Sequence, residues 1–332
     1  MTGPRLALPA TLSDTFSVSE ARACGVDRGR LRAGDVESMF RGAYARAGSV
    51  PSEEDEGGGV LHPRERWRRR QLHRADAYRR IMLSHVFFSG RTAAAICDLP
   101  VPPRPTDDIE VACVVPGQAP RVRGVLSARV REHLVSTTTH RGFRVTSPPS
   151  TWVMLAADLA LPDLVALGDA VIRRPRIAGT SRLERQPFAT LEDLHAEIDR
   201  GRRPGLAAAR RALPVLSPHS ASAPESHLRL RLREWGLPYP ALDVDVRDAS
   251  GRLLGCTEIA YPEFRVAFEY EGDHHRVSRA QWDRDIEKAR EYTAARWITV
   301  RVTARLLYAT PERLRGIAEA TLRSRDWSGG GS

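Results

Sequence analysis

Between Glu258 and His275 the chain reads EIAYPEFRVAFEYEGDHH, a short apolar stretch that runs directly into carboxylates and histidines. Side chains alternate along an extended strand. Val266, Phe268 and Tyr270 would therefore take one face, and Ala267, Glu269 and Glu271 the other. Two carboxylates then share a face at the strand end, and Glu258, just before the preceding turn, falls beside them. Carboxylates held together raise one another's pKa, and a cation relieves the repulsion. Mg²⁺ takes oxygen ligands and keeps several waters, so two or three carboxylates suffice. His274 and His275 follow as proton carriers near neutral pH. Glu225, upstream, is placed to complete the cluster. This set suits metal-assisted hydrolysis of a phosphodiester, with a histidine moving protons. The same residues also read as a solvent-facing edge strand whose charges pair with Arg265, Arg276 and Arg279.

The flanking patterns supply elements to hold these side chains. PESHLRLRLREWGLP reads as a helix, with Pro224 and Glu225 at its start and Gly236 and Pro238 at its stop. ALDVDVRD, LLGCTEIAY and RVAFEYEG make a three-strand meander. A helix over SRAQWDRDIEKAREYTAARW, a strand ITVRVT and a closing helix TPERLRGIAEATLRS complete an α-β-β-β-α-β-α order.

The chain of 332 residues carries 51 Lys+Arg against 41 Asp+Glu, a formal net charge of +10, and arginine dominates the basic set. Arginine forks suit phosphates. The four cysteines are far apart and form no CxxC pair, which excludes a zinc knuckle or a disulfide framework and points to a reducing compartment. No run reaches the roughly 18 apolar residues of a membrane span, so the expected location is cytoplasmic. PSEEDEGGG (51–59) reads as a loop and SPHSASAP (217–224) as a linker. The expected domains are a module over 10–48, a middle region over 60–216 and a C-terminal domain over 222–327. In the first, Ser17 or Ser19 caps a helix, Cys24-Gly25-Val26 turns, and Asp27 caps a second helix carrying Arg28, Arg30 and Arg32. VESMFRGAYA supplies a two-stranded wing, so the module reads as a winged helix-turn-helix whose arginines face DNA. The middle region alternates helical and extended patterns and contains no chemical constellation.

The segments ESHLRLRLREWGLP, GCTEIAYPEFRVAFEYEGDHHR and QWDRDIEKAREYTAARWITVRVT resemble the DUF559 domains. These are relatives of the very-short-patch-repair endonucleases within the PD-(D/E)XK nuclease superfamily. The resemblance covers about 100 residues and rests on E-Y-acid-G-x-x-H, the Q-W-x-x-D after it, and W-x-x-V-R-V-T. More loosely, the region before it is similar to the AbiEi-type antitoxins, a winged helix followed by a second domain. The resemblance implies a restriction-endonuclease-like αβββαβα domain, and an α+β fold overall. It places a helical glutamate at Glu225, the principal metal-binding carboxylate at Glu258, and the second acid at Glu269. Glu271 stands where aspartate is usual, in the slot of the superfamily's lysine. His275 is the better register for the family histidine, with His274 as the alternate. Asp285 and Lys288 match polar positions of the next helix. Two departures stand out: Glu258 and Glu271 replace aspartates, and Arg296 sits where a small glycine is common.

The expectation is an endonuclease that uses Mg²⁺ or Mn²⁺. Glu258 and Glu269 would bind the metal, Glu225 and Glu271 would orient its waters, and His275 would act as acid/base. Arg276, Arg279 and Lys288 would steer the DNA backbone. The alternative is a DNA-binding regulator, antitoxin-like and with a toxin-like protein partner, in which the nuclease domain survives without catalysis.

Overall fold

The structure, a computed structural model, describes residues 7–49, 54, 61–272 and 279–329, with the backbone alone for 279–285. The fold is α+β. It divides into two compact units, 1–155 and 156–332.

The first unit opens with β1 (Thr15–Ser17), α1 (Val18–Ala23), β2 (Val36–Phe40) and β3 (Ala43–Arg46). The strands form a sheet in the order β1-β3-β2. A reciprocal capping box starts α1: the Glu20 amide donates to Ser17 Oγ, and the Ser17 amide donates to Glu20 Oε2. Gly25, at φ +78°, turns the chain out of the helix, and the Val26 amide returns to the Ala21 carbonyl. Helix, turn and two-stranded wing stand where the sequence pattern put them. The second helical segment is shorter, a single 3₁₀ turn over Arg30–Arg32. Gly29 and Gly34 bracket it, leaving too few residues to offset the cost of nucleating a longer helix.

The rest of this unit runs α2 (Pro63–Arg79), β4 (Val86–Phe88), α3 (Gly90–Ile96), β5 (Ile109–Val114), β6 (Val125–Val130), β7 (Thr137–His140), β8 (Phe143–Thr146) and α4 (Pro148–Leu155). Its sheet order is β6-β5-β4-β8-β7. β5 pairs parallel to β6 and antiparallel to β4. The buried faces of Phe87, Phe88, Ile109 and Val111 form its core.

The second unit contains α5 (Leu161–Ile172), α6 (Leu191–Asp199), α7 (Leu206–Ala212), α8 (Ala223–Glu234), β9 (Ala241–Arg247), β10 (Leu253–Tyr261), β11 (Val266–Glu271), α9 (Arg279–Ala294), β12 (Ile298–Thr303) and α10 (Pro311–Arg323). From α8 onward this is the expected α-β-β-β-α-β-α order. The sheet runs β12-β11-β10-β9, with β11 and β12 parallel and the other pairs antiparallel. Leu228 and Leu232 of α8, Ile259, Val266 and Phe268 of the sheet, and Leu314 and Leu322 of α10 share one buried cluster.

The expected middle region, 60–216, is divided at 155/156, so its residues 156–216 belong to the second unit. A buried ion pair accounts for this. Arg229 Nη2 of α8 lies 2.7 Å from Asp169 Oδ2 of α5, with side-chain exposures of 3% and 1%. The Ser226 hydroxyl (2.6 Å) and the Ser217 amide (2.7 Å) donate to the same carboxylate. The Ser/Pro stretch expected as a linker is thereby bound into the unit: Ser220 is buried, and the Pro218 carbonyl accepts from the Arg174 amide. Arg296 adopts φ +62° just after α9. The resemblance carries glycine there, the residue that takes this conformation without steric cost.

Candidate active site

α8 positions its glutamate by capping. The Ser222 hydroxyl accepts from the Glu225 amide, and Glu225 Oε2 accepts from the Ala221 amide at 2.7 Å. The Glu225 side chain is consequently buried, 4% exposed.

The strands bring acids into a row. On β9, Asp243 stands between the pairs Leu242–Ile259 and Val244–Thr257, hence opposite Glu258. On β11, Glu269 stands one step beyond the pair Ile259–Phe268, hence beside Glu258. Directly opposed residues in a sheet share a face. The β10–β11 ladder stops at Ile259–Phe268, and the Tyr270 amide donates instead to Glu258 Oε2 at 2.9 Å. A side chain thus takes the place of a ladder carbonyl.

The electrostatics follow from this packing. Burial, then the charges of Glu225 and Glu269, push the Glu258 carboxyl up to about 8, against the Tyr270 amide and Lys288. Burial also raises Glu225. Lys288 of α9 reaches into the row: its Nζ lies 2.6 Å from Glu269 Oε1 and 3.0 Å from the Cys256 carbonyl. Gly255 leaves room for it, since a Cβ there would lie 3.0 Å from Tyr292 Oη and 3.3 Å from Lys288 Cε.

At the far side, Arg176 holds Asp243 and Asp245, with Nε 3.1 Å from Asp243 Oδ2 and Nη1 2.9 Å from Asp245 Oδ1. Cys256 Sγ donates to Asp243 Oδ1 at 3.0 Å, and burial, helped by Asp243, pushes this thiol up to about 12. Asp243 itself has φ +53°, a backbone that costs a non-glycine residue about 1–2 kcal/mol.

Glu225, Glu258 and Glu269 are therefore brought together electrostatically as the sequence suggested. Glu271 departs from them: its Oε1 pairs with Arg301 Nη1 at 2.5 Å. Among the described residues, Lys288 pairs with Glu269 and Arg301 with Glu271 at the strand end. Lys288, expected on the DNA backbone, is instead a member of the acid row. Arg30, expected to face DNA, is held by Asp35 through two contacts of 2.7 and 2.5 Å. Arg28 and Arg32 are exposed. His274, His275 and Arg276 lie outside the described residues, as does the side chain of Arg279. Sequence reasoning missed Asp243 and Arg176. The alternation in ALDVDVRD, which places Asp243 and Asp245 on one face, was the available signal for the first.

The donor set suits a hard cation that keeps most of its waters. Among the described residues, only Oε2 of Glu258 and only Oε1 of Glu269 are engaged, leaving one oxygen on each. Mg²⁺ is commonly held by one or two carboxylates and water. Among the described residues no group of three or more His, Cys, Asp and Glu side chains stands together to hold a metal. A closed protein cage for the ion is thus not what these residues build.

No family model matches the chain. Among the described residues no helix is long and apolar enough to cross a membrane. The chain is similar to two uncharacterized proteins of Mycobacterium tuberculosis, MT2308 of strain CDC 1551 / Oshkosh and Rv2248 of strain ATCC 25618 / H37Rv. It is 31% identical to each over 173 residues, which is 52% of this chain and 59% of theirs.

Proposed function

We propose that the second unit is a DNA endonuclease that hydrolyses phosphodiester bonds with Mg²⁺ or Mn²⁺, and that the chain binds DNA to present it. The observation that carries this reading is Glu258. A carboxyl raised to about 8 beside two further glutamates is costly for a metal-free protein and becomes favourable when a cation arrives.

Glu258 and Glu269 would hold the ion, each through the oxygen not already engaged. When bound there, a cation would supply Lewis-acid polarisation of the phosphate and a lowered pKa for a coordinated water. Glu225, buried at the start of α8, adds negative charge to the site and draws the cation in. Lys288 is fixed by two acceptors, and its ammonium offers positive charge to the non-bridging oxygens of the scissile phosphate. His275, with His274 as the alternate, is assigned from the sequence to protonate the leaving oxygen.

One observation favours the second reading, a DNA-binding regulator without cleavage. The Lys288 ammonium already neutralises Glu269 as a cation would. Supercoiled plasmid incubated with the purified chain in Mg²⁺, Mn²⁺ or EDTA separates the two. Metal-dependent nicking that falls at least about 100-fold in Glu269→Ala is expected. Gel retardation of DNA by both proteins, with neither cutting it, selects the regulator.

A further inference from the structure

β6 is the outer strand of its sheet, paired with β5 on one edge only. Leu126, Ser127, Ala128 and Arg129 are all exposed. Arg121 and Arg123 precede the strand, Arg129 lies on it and Arg131 follows it. All four are exposed. Among the described residues none of the four makes an ion pair or a side-chain hydrogen bond. Other arginines of the same unit are matched, among them Arg30 by Asp35, Arg68 by Asp98, Arg70 by Asp107 and Arg104 by Glu110. The residues from Arg121 to Arg131 include four arginines and no acid.

Charge on an edge strand can serve simply to repel other strands. That role asks for one or two charges and leaves unexplained a pair at each end. A strand of six residues extends about 20 Å. Duplex DNA carries one charge per about 1.7 Å of axis, so roughly a dozen phosphates lie along that length. Guanidinium forks match phosphate oxygens.

We propose that the outer edge of β6 is a nucleic-acid backbone site. Arg121 and Arg123 bind phosphates at one end, and Arg129 and Arg131 bind them at the other, without reading bases. This rests on the DNA-binding part of the reading above. It moves the principal contact from the 3₁₀ turn, where Arg30 is already held by Asp35, to the edge of the larger sheet.

The test uses the full chain carrying Glu269→Gln, so that DNA is bound and not cut. Affinity for a duplex of mixed sequence is measured by fluorescence anisotropy from about 50 to 200 mM salt. Replacing all four arginines by alanine should lower the slope of log Kd against log salt by about 3.6, and Arg129→Ala with Arg131→Ala by about half that. Lysine at all four positions should restore most of the slope. Alanine at Arg315 and Arg323, which already pair with Glu319, should leave it unchanged. An unchanged slope in a quadruple variant with the parent's circular dichroism and Tm overturns the proposal. So does an edge that binds an acidic peptide while the DNA slope stays fixed. Should the quadruple variant fail to fold, the Arg129 and Arg131 double variant decides. A chain that shows the arginine-dependent slope and never cleaves DNA refutes the nuclease reading and leaves this site standing.

Discussion

Burial and the charges of Glu225 and Glu269 keep the Glu258 proton in place up to about pH 8, against an ordinary value of 4.5. Between those two values the metal-free folded chain holds one proton that the unfolded chain has released. Its stability should therefore fall as pH rises through that window, by about 1.4 kcal/mol per pH unit at the steepest. Glu258→Gln keeps the shape and removes the ionisation. Urea unfolding between pH 5 and 9 should show a slope in the parent that is flatter in the variant, and equal slopes would dismiss the assignment. Mn²⁺ added at pH 8 should raise the parent's Tm and leave Glu258→Gln, Glu269→Gln unmoved. Glu225, Glu258 and Glu269 were legible in the sequence because carboxylates at a helix start and at strand ends break an otherwise apolar pattern. Arg176 was not, because its partner Asp243 is 67 residues away and no periodicity links them. Lys288 reads as one more surface base on a polar helix until the packing of α9 turns it inward.

At the scale of elements, α8 depends on α5. Asp169 accepts from Arg229, Ser226 and Ser217, and the first two of these flank or follow Glu225 within one helical turn. Asp169→Ala leaves the Arg229 guanidinium buried without its counter-charge. Loss of one partner of a buried pair costs about 3–5 kcal/mol, so the midpoint of urea unfolding should drop accordingly. A shift below about 1 kcal/mol, the level of an exposed pair, would show that the pair is hydrated. From α8 onward the helices and strands were legible from period, caps and breakers: Pro224 and Glu225 start α8, and Gly236 ends it. The docking of α5 was not, since both it and the Ser/Pro stretch carry signals that equally suit a separate domain. In the first unit, the Asp27 carboxylate accepts from the Arg30 amide at 2.8 Å, but the 3₁₀ turn starts only at Arg30, after Gly29, and leaves Arg28 outside it. The flanking glycines then decide the length.

At the scale of the chain, the division at 155/156 predicts which pieces stand alone. A fragment of residues 156–332 retains Asp169 with Arg229 and should unfold in one cooperative urea transition. A fragment of 217–332, cut where the Ser/Pro stretch suggests, lacks Asp169 and should not. Equal cooperativity in both would show that the αβββαβα core is self-sufficient. The strand pairing also orders events in time. The β9–β10 hairpin is local, whereas β11 meets β12 across 32 positions, Val266 against Ile298, and long-range pairing forms slowly. Lys288 lies between those strands in sequence and reaches Glu269 only when α9 packs. A nascent chain that has emerged as far as Glu269 therefore has its acids without their ammonium neighbour. The chemistry of the row becomes available only when synthesis has passed β12 and folding of the unit is complete.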